Sequence, residues 1–145
     1  METKNNSGYL GNREWLKDVV VEPVVLRGIS ALEYMGYFSG WVNENEIDVY
    51  HTEKGKYTNI TYHVVKDFSA IDFTEDGHIR CSTFTQAIND LLAERDVTDE
   101  QVLMESLNDY YEEHGHSFDG LRIEESNEES FREISRWARE YYYDR

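Results

Sequence analysis

The chain has 145 residues, of which 39% are hydrophobic and 14% aromatic, enough to build a packed core although 30% are charged. Thirty acidic against fourteen basic side chains give a formal net charge of −16, which opposes nonspecific attraction to phosphate backbones and anionic membrane surfaces. No apolar run approaches the roughly 20 residues that span a bilayer, the first residues lack a basic-then-apolar signal pattern, and Cys81 has no second cysteine to pair with, so a cytoplasmic protein is expected.

Residues 1–12 are polar and aperiodic and read as a frayed tail. Trp15, Leu16 and the valines at 19–21 predict a turn of helix followed by an extended segment, closed off by Pro23, the only proline. Ile29, Leu32 and Met35 recur at helical spacing, and Gly36 is placed to stop that helix. Phe38 and Trp41 read as core anchors beneath a loop. Residues 47–50 and 59–65 are β-branched and aromatic with partial alternation, and a turn-like stretch at 53–56 separates them. Two further strands, 69–73 and 78–81, flank an Asp76-Gly77 hairpin signal. After residue 82 the pattern turns helical. Thr83-x-x-Gln86, Thr98-x-x-Gln101 and Ser126-x-x-Glu129 each offer a side-chain acceptor and a reciprocal group to the open N–H groups of a first turn. Their apolar faces follow: Phe84, Ala87, Ile88 and Leu91; Leu103, Leu107 and Tyr110; Phe131, Ile134, Ala138 and Tyr141. The expected architecture is α+β in a single domain over 1–145. A small antiparallel meander of three or four strands packs against roughly four helices, and the C-terminal half is helical.

Two blocks carry a family resemblance. Val24-Val-Leu-Arg-Gly-Ile-Ser-Ala-Leu-Glu-Tyr-Met-Gly36 pairs a hydrophobic doublet with a small-residue turn and an S-A-L-x-x-x-G helix. Ile79-Arg-Cys-Ser-Thr-Phe-Thr-Gln-Ala-Ile-Asn-Asp-Leu-Leu92 reads as a strand leading into a helix that ends in Asp90, Leu91 and Leu92. Together with the intervening strands, residues 24–92 resemble the C-terminal domain of AbiEi-type antitoxins from prokaryotic abortive-infection systems. The resemblance implies a non-catalytic antitoxin that counters a nucleotidyltransferase toxin without necessarily forming a stable complex with it. Members of that family usually begin with a winged helix-turn-helix that binds their own promoter. Only 23 residues precede the first block here, so that module is expected to be missing.

The search for chemistry finds no Gly-x-Gly-x-x-Gly and no Walker loop among nine scattered glycines. His114-x-His116 beside Glu112 and Glu113 has metal-ligand spacing, and it equally suits a solvated helix end where a cationic imidazole meets the helix dipole. Cys81 stands just before a helix start, which favours a reactive thiolate, whereas strand alternation favours burial. Paired carboxylates are too numerous for a catalytic pair to be singled out. The expectation is therefore no enzyme activity, no cofactor and no metal.

Acidity is concentrated late in the chain. Residues 1–98 carry 16 acids and 9 bases, and residues 99–145 carry 14 acids and 5 bases. Such a bias serves solubility, or it forms a negative surface for a basic protein partner. On the second reading, the contact residues are Asp109, Glu112, Glu113, Glu124, Glu125, Glu128 and Glu129, together with the aromatic residues Trp137, Tyr142 and Tyr143. The alternative reading, from the same charge, is a phage-type acidic inhibitor of the anti-CRISPR or anti-restriction kind, whose carboxylates mimic nucleic acid in the groove of a DNA- or RNA-binding enzyme. Neither reading involves direct nucleic-acid or membrane binding. The isolated protein is expected to leave duplex DNA unshifted in a gel at physiological salt. Salt-sensitive, submicromolar binding to its own upstream region would contradict this.

Overall fold

The structure, a computed structural model, describes residues 16, 17, 20–38 and 46–141. The expected tail at 1–12 and the side chains of Trp15, Trp41, Tyr142 and Tyr143 lie outside the described residues. The described chain is α+β, with a five-stranded sheet and four helices of eight or more residues. Contacts divide it into two compact units, Met1–Ala87 and Ile88–Arg145.

The first unit holds the whole sheet. Strand β1 is only Val25–Leu26, followed by helix α1 at Gly28–Met35, β2 at Ile47–His51, β3 at Ile60–Val64, β4 at Phe73–Asp76 and β5 at Ile79–Ser82. Their order across the sheet is β3-β2-β1-β5-β4. This corrects the expected meander of three or four antiparallel strands. β1 occupies the centre, antiparallel to β2 and parallel to β5, and β2 with β3 is a second parallel pair. Val25 and Leu26 are fully buried, and neighbouring rows add Val49, Ile47, Ile79 and Cys81. Cys81 is thus a packed strand residue, with its thiol donating to the Ala31 carbonyl at 3.7 Å.

Helix α1 stops as expected. Gly36 takes a left-handed φ of 86°, and its N–H and that of Tyr37 reach back to the carbonyls of Glu33 and Leu32. The buried positions are broader than the expected stripe and include Ala31, Leu32 and Tyr34, whereas Ile29 and Met35 are half-exposed. The hairpin near Asp76 is also present. Asp76 pairs with Ile79, leaving a two-residue loop whose first residue, Gly77, has a φ of 63°. The strand entering it is Phe73–Asp76, a few residues later than expected, because residues 74–76 join the ladder.

The parallel pairing of β2 with β3 needs a return path, and the eight residues 52–59 supply it without a helix. Tyr62 anchors this path. Its hydroxyl donates to Glu22 at 2.5 Å and accepts from the Tyr57 N–H at 3.2 Å, and its ring lies against His51. Gly55 passes so close that a β-carbon there would collide with the Tyr62 ring and the Glu22 carboxylate. Burial, and then the Glu22 carboxylate, raise the Tyr62 hydroxyl above its usual pKa.

Helix α2, Phe84–Ala93, opens on Thr83, whose hydroxyl accepts from the Gln86 N–H at 3.2 Å. The Gln86 side chain does not close a reciprocal box; it accepts from the Asp72 N–H instead. The second unit continues with a 3-10 turn at Arg95–Val97, helix α3 at Glu100–Glu113, a second 3-10 turn at Glu125–Asn127 and helix α4 at Glu128–Ala138. Two expected caps are replaced. Asp99, not Thr98, caps α3 by accepting from Gln101, and Ser126 lies inside the 3-10 turn while Asn127 takes the cap position. Ile88, Leu91, Leu103, Leu107, Ile134 and Ala138 form the core of this unit, as their spacing predicts.

Gly55→Ala is expected to destabilise the fold by about 1–3 kcal/mol in urea unfolding, and Tyr62→Phe by about 1 kcal/mol. The two losses should not add, because both release the same anchor; strict additivity would contradict the close packing. Since the folded Tyr62 holds its proton more tightly than the unfolded one, stability should fall as pH rises past the usual tyrosine value near 10.0, and less so in Tyr62→Phe.

Candidate functional site

Two polar regions have enough geometry to carry function, one in each unit. The first was not singled out by sequence. Arg27 directly follows the central strand, and its side chain is only 3% exposed. Its guanidinium donates to Asp48 Oδ2 at 3.0 Å and lies 4.9 Å from the Tyr50 ring centre. Asp48 is fixed by its backbone, whose N–H donates to Ser30 Oγ and whose carbonyl accepts from the Arg27 N–H. His63, next to this pair through the parallel β2–β3 register, places Nε2 2.9 Å from Asp48 Oδ1 and 2.9 Å from an Arg27 nitrogen. One nitrogen cannot donate to the carboxylate and accept from the guanidinium at once. Asp48 Oδ1 is buried and makes no other hydrogen bond among the described residues, so the tautomer with a proton on Nε2 satisfies it best.

A carboxylate in contact with a part-exposed imidazole is the pairing from which general-base chemistry is built. Here it also neutralises a buried cation. The sequence signal was faint: Asp48 and Tyr50 alternate with buried residues on β2, but nothing local shows that His63 is their neighbour.

The second region is the acidic surface of the second unit. Arg95 joins Glu100, at the start of α3, to Glu133 in α4, at 2.9 and 2.7 Å. Those hydrogen bonds, to Glu133 and then to Glu100, raise the Arg95 pKa further. Eight residues beyond Glu100, Asn108 donates to the carbonyl of Ala138 at the end of α4. The two contacts fall in the same order along both helices, so α3 and α4 run side by side in the same direction. Residues 114–127 make the return, pinned at Asn89. Its side chain donates to the Arg122 carbonyl and accepts from the Glu124 N–H and the Asn127 amide.

Parallel helices separate the expected contact residues into two groups. Glu112 and Glu113 are exposed at the C-terminal end of α3. Glu124, Glu125, Glu128 and Glu129 are exposed at the N-terminal end of α4, where they also favour the helix dipole. At 1.5 Å per residue the groups stand on the order of 20 Å apart. Asp109 is half-buried on α3, and Trp137 is 43% exposed.

His114 and His116 are occupied locally. His114 Nδ1 lies 2.8 Å from the Tyr110 carbonyl with its ring stacked on Tyr110, while His116 contacts Glu112 at 3.0 Å and stacks on Tyr111. Among the described residues, no group of three or more His, Cys, Asp or Glu side chains is arranged to hold a metal. No described helix is long and apolar enough to cross a membrane. No family model matches the chain, and no curated protein matches it significantly.

Arg27→Ala is expected to lower stability by about 2–4 kcal/mol in denaturant unfolding, because it empties a buried site and leaves the half-buried Asp48 carboxylate without its cation. His63→Ala should cost only about 1 kcal/mol. Equal losses would contradict the assignment of Arg27 as the buried charge that the cluster serves.

Proposed function

We propose that the protein is a non-catalytic interaction protein that meets a basic protein partner through the acidic surface of residues 99–145, as an AbiEi-like antitoxin domain in a prokaryotic toxin–antitoxin or defence setting. The observation that carries this reading is the exposure of all six of Glu112, Glu113, Glu124, Glu125, Glu128 and Glu129 in a chain of net charge −16. Carboxylates at a surface draw a cationic partner over a Debye length of about 8–10 Å and set its orientation on arrival. The half-exposed Trp137 adds the kind of amphipathic anchor on which contact surfaces rely. The antitoxin assignment itself rests on the resemblance of residues 24–92. A cytoplasmic location suits such a role.

The division of the acids into two groups favours a second reading. Charges spread along a body, instead of gathered at one point, resemble those of a nucleic-acid backbone. A phage-type acidic inhibitor would use them against the groove of a DNA- or RNA-binding enzyme. Either partner is basic, and a gene neighbourhood holding a nucleotidyltransferase or a phage operon separates the two readings.

Charge reversal to Lys in the pairs Glu112/Glu113, Glu124/Glu125 and Glu128/Glu129 is expected to weaken toxin neutralisation or nuclease inhibition, by about tenfold for at least one pair, without unfolding the protein. If every pair retains full activity while Asp48→Asn or His63→Gln abolishes it in a folded protein, the surface reading fails and a catalytic one replaces it.

A further inference from the structure

The second unit also carries a surface of the opposite sign. Its basic side chains are all arginines, and two of them, Arg132 and Arg139, line an open groove of about 410 Å³. The far wall is apolar, formed by Phe118, Leu121 and Ile123 from the return segment, with Phe131 of α4 at the floor. All four apolar side chains are half-buried, so the groove presents them to solvent. Phe118 and Phe131 meet edge to face at 5.3 Å, which fixes the floor.

The arginines are the informative part. Among the described residues neither guanidinium makes an ion pair, although acids outnumber bases in this chain by thirty to fourteen. Complementing the helix dipole accounts for Arg139 at the C-terminus of α4 but not for Arg132 in its middle. Seven residues apart, they fall on one face of the helix, about 10 Å from each other along the groove. Glu128 lines the groove toward the start of α4, so the positive stretch is confined to the other end.

We propose that this groove binds an extended, acidic segment of a protein partner. Its carboxylates, three residues apart, meet Arg132 and Arg139, and the apolar side chains between them sit on Phe118, Leu121, Ile123 and Phe131. An extended chain in the polyproline II conformation has three residues per turn and rises about 3.1 Å per residue, so an i, i+3 pair of acids shares one face and spans about 9 Å, close to the arginine spacing. Guanidinium forks favour carboxylates over other polar groups because two parallel hydrogen bonds form at once. The partner chemistry is thus opposite to that engaged by the acidic surface, and this inference stands whether or not that surface acts as proposed.

The test is fluorescence anisotropy on the full chain with a fluorescein-labelled peptide, Glu-Leu-Phe-Glu-Leu, and its neutral counterpart, Gln-Leu-Phe-Gln-Leu. The acidic peptide should bind at least about tenfold more tightly than the neutral one. The double substitution Arg132→Ser with Arg139→Ser should remove that preference. Arg136→Ser removes one positive charge from α4 outside the groove and should leave it intact, and Leu121→Ser should weaken both peptides. All four positions are at least partly exposed, and unchanged circular dichroism confirms the fold of each variant. Equal binding of the two peptides, or an equal effect of Arg136→Ser, overturns the proposal. So does laurate binding where the peptides do not bind, which assigns the groove to a lipid carboxylate. A concentration-dependent dimer that the acidic peptide dissolves also overturns it, since the occupant is then a second copy.

Discussion

The guanidinium of Arg27 is taken out of water one residue after the central strand, and the arrangement of the first unit follows from the need to neutralise it. Asp48 supplies the opposite charge, and the backbone bond between the same two residues holds β1 against β2. A buried ion pair contributes less to net stability than a well-packed apolar pair, but it punishes misplacement severely, because any register that strands the charge costs several kcal/mol. With a strand of two residues, side-chain chemistry of this kind fixes a register that two ladder positions alone would leave loose. His63 completes the cluster, and it can do so because β3 runs parallel to β2 and places it beside Asp48 and Tyr50.

Much of the local structure was legible in the sequence, because its causes are local. Gly36 ends α1 through its left-handed conformation, Gly77 turns the β4–β5 hairpin, and the apolar spacings of α2, α3 and α4 give their buried faces. Four strands of the sheet were legible as well, but its central strand and its strand order were not. Val25 and Leu26 form too short a strand to show alternation, and Pro23 beside them suggests a break, not the middle of a sheet. The β2–β3 pair departs from the expected meander, since short connections usually mean antiparallel neighbours. The anchoring of residues 52–59 on Tyr62 overrides that rule through contacts far apart in sequence. Capping failed for a related reason: Asp99 competes with Thr98 for the α3 cap, and Asn127 is drawn into the Asn89 network.

The acidic residues were identified by sequence, but their grouping depends on the direction of α4 relative to α3. A short hairpin would bring Glu112, Glu113, Glu128 and Glu129 together. The fourteen residues 114–127 instead carry the chain back before α4 starts, and they leave one negative group at each end. The same return segment supplies Phe118, Leu121 and Ile123 to the wall of the arginine-lined groove. One connection therefore both divides the negative surface and walls the arginine-lined groove, and the Asn89 side chain pins it.

Occupation of a partner's surface, and not turnover of a substrate, is the proposed mode of action. Molar ratio distinguishes these directly. The proposed partner, a nucleotidyltransferase toxin or a nucleic-acid enzyme, is held at fixed concentration well above the dissociation constant and titrated with the purified chain until its activity is lost. Surface occupation predicts that neutralisation is complete near a fixed small ratio of the two proteins and does not deepen with time. Complete and progressive neutralisation at a ratio of about one to a hundred would contradict it, because only a catalyst acts on so many partners.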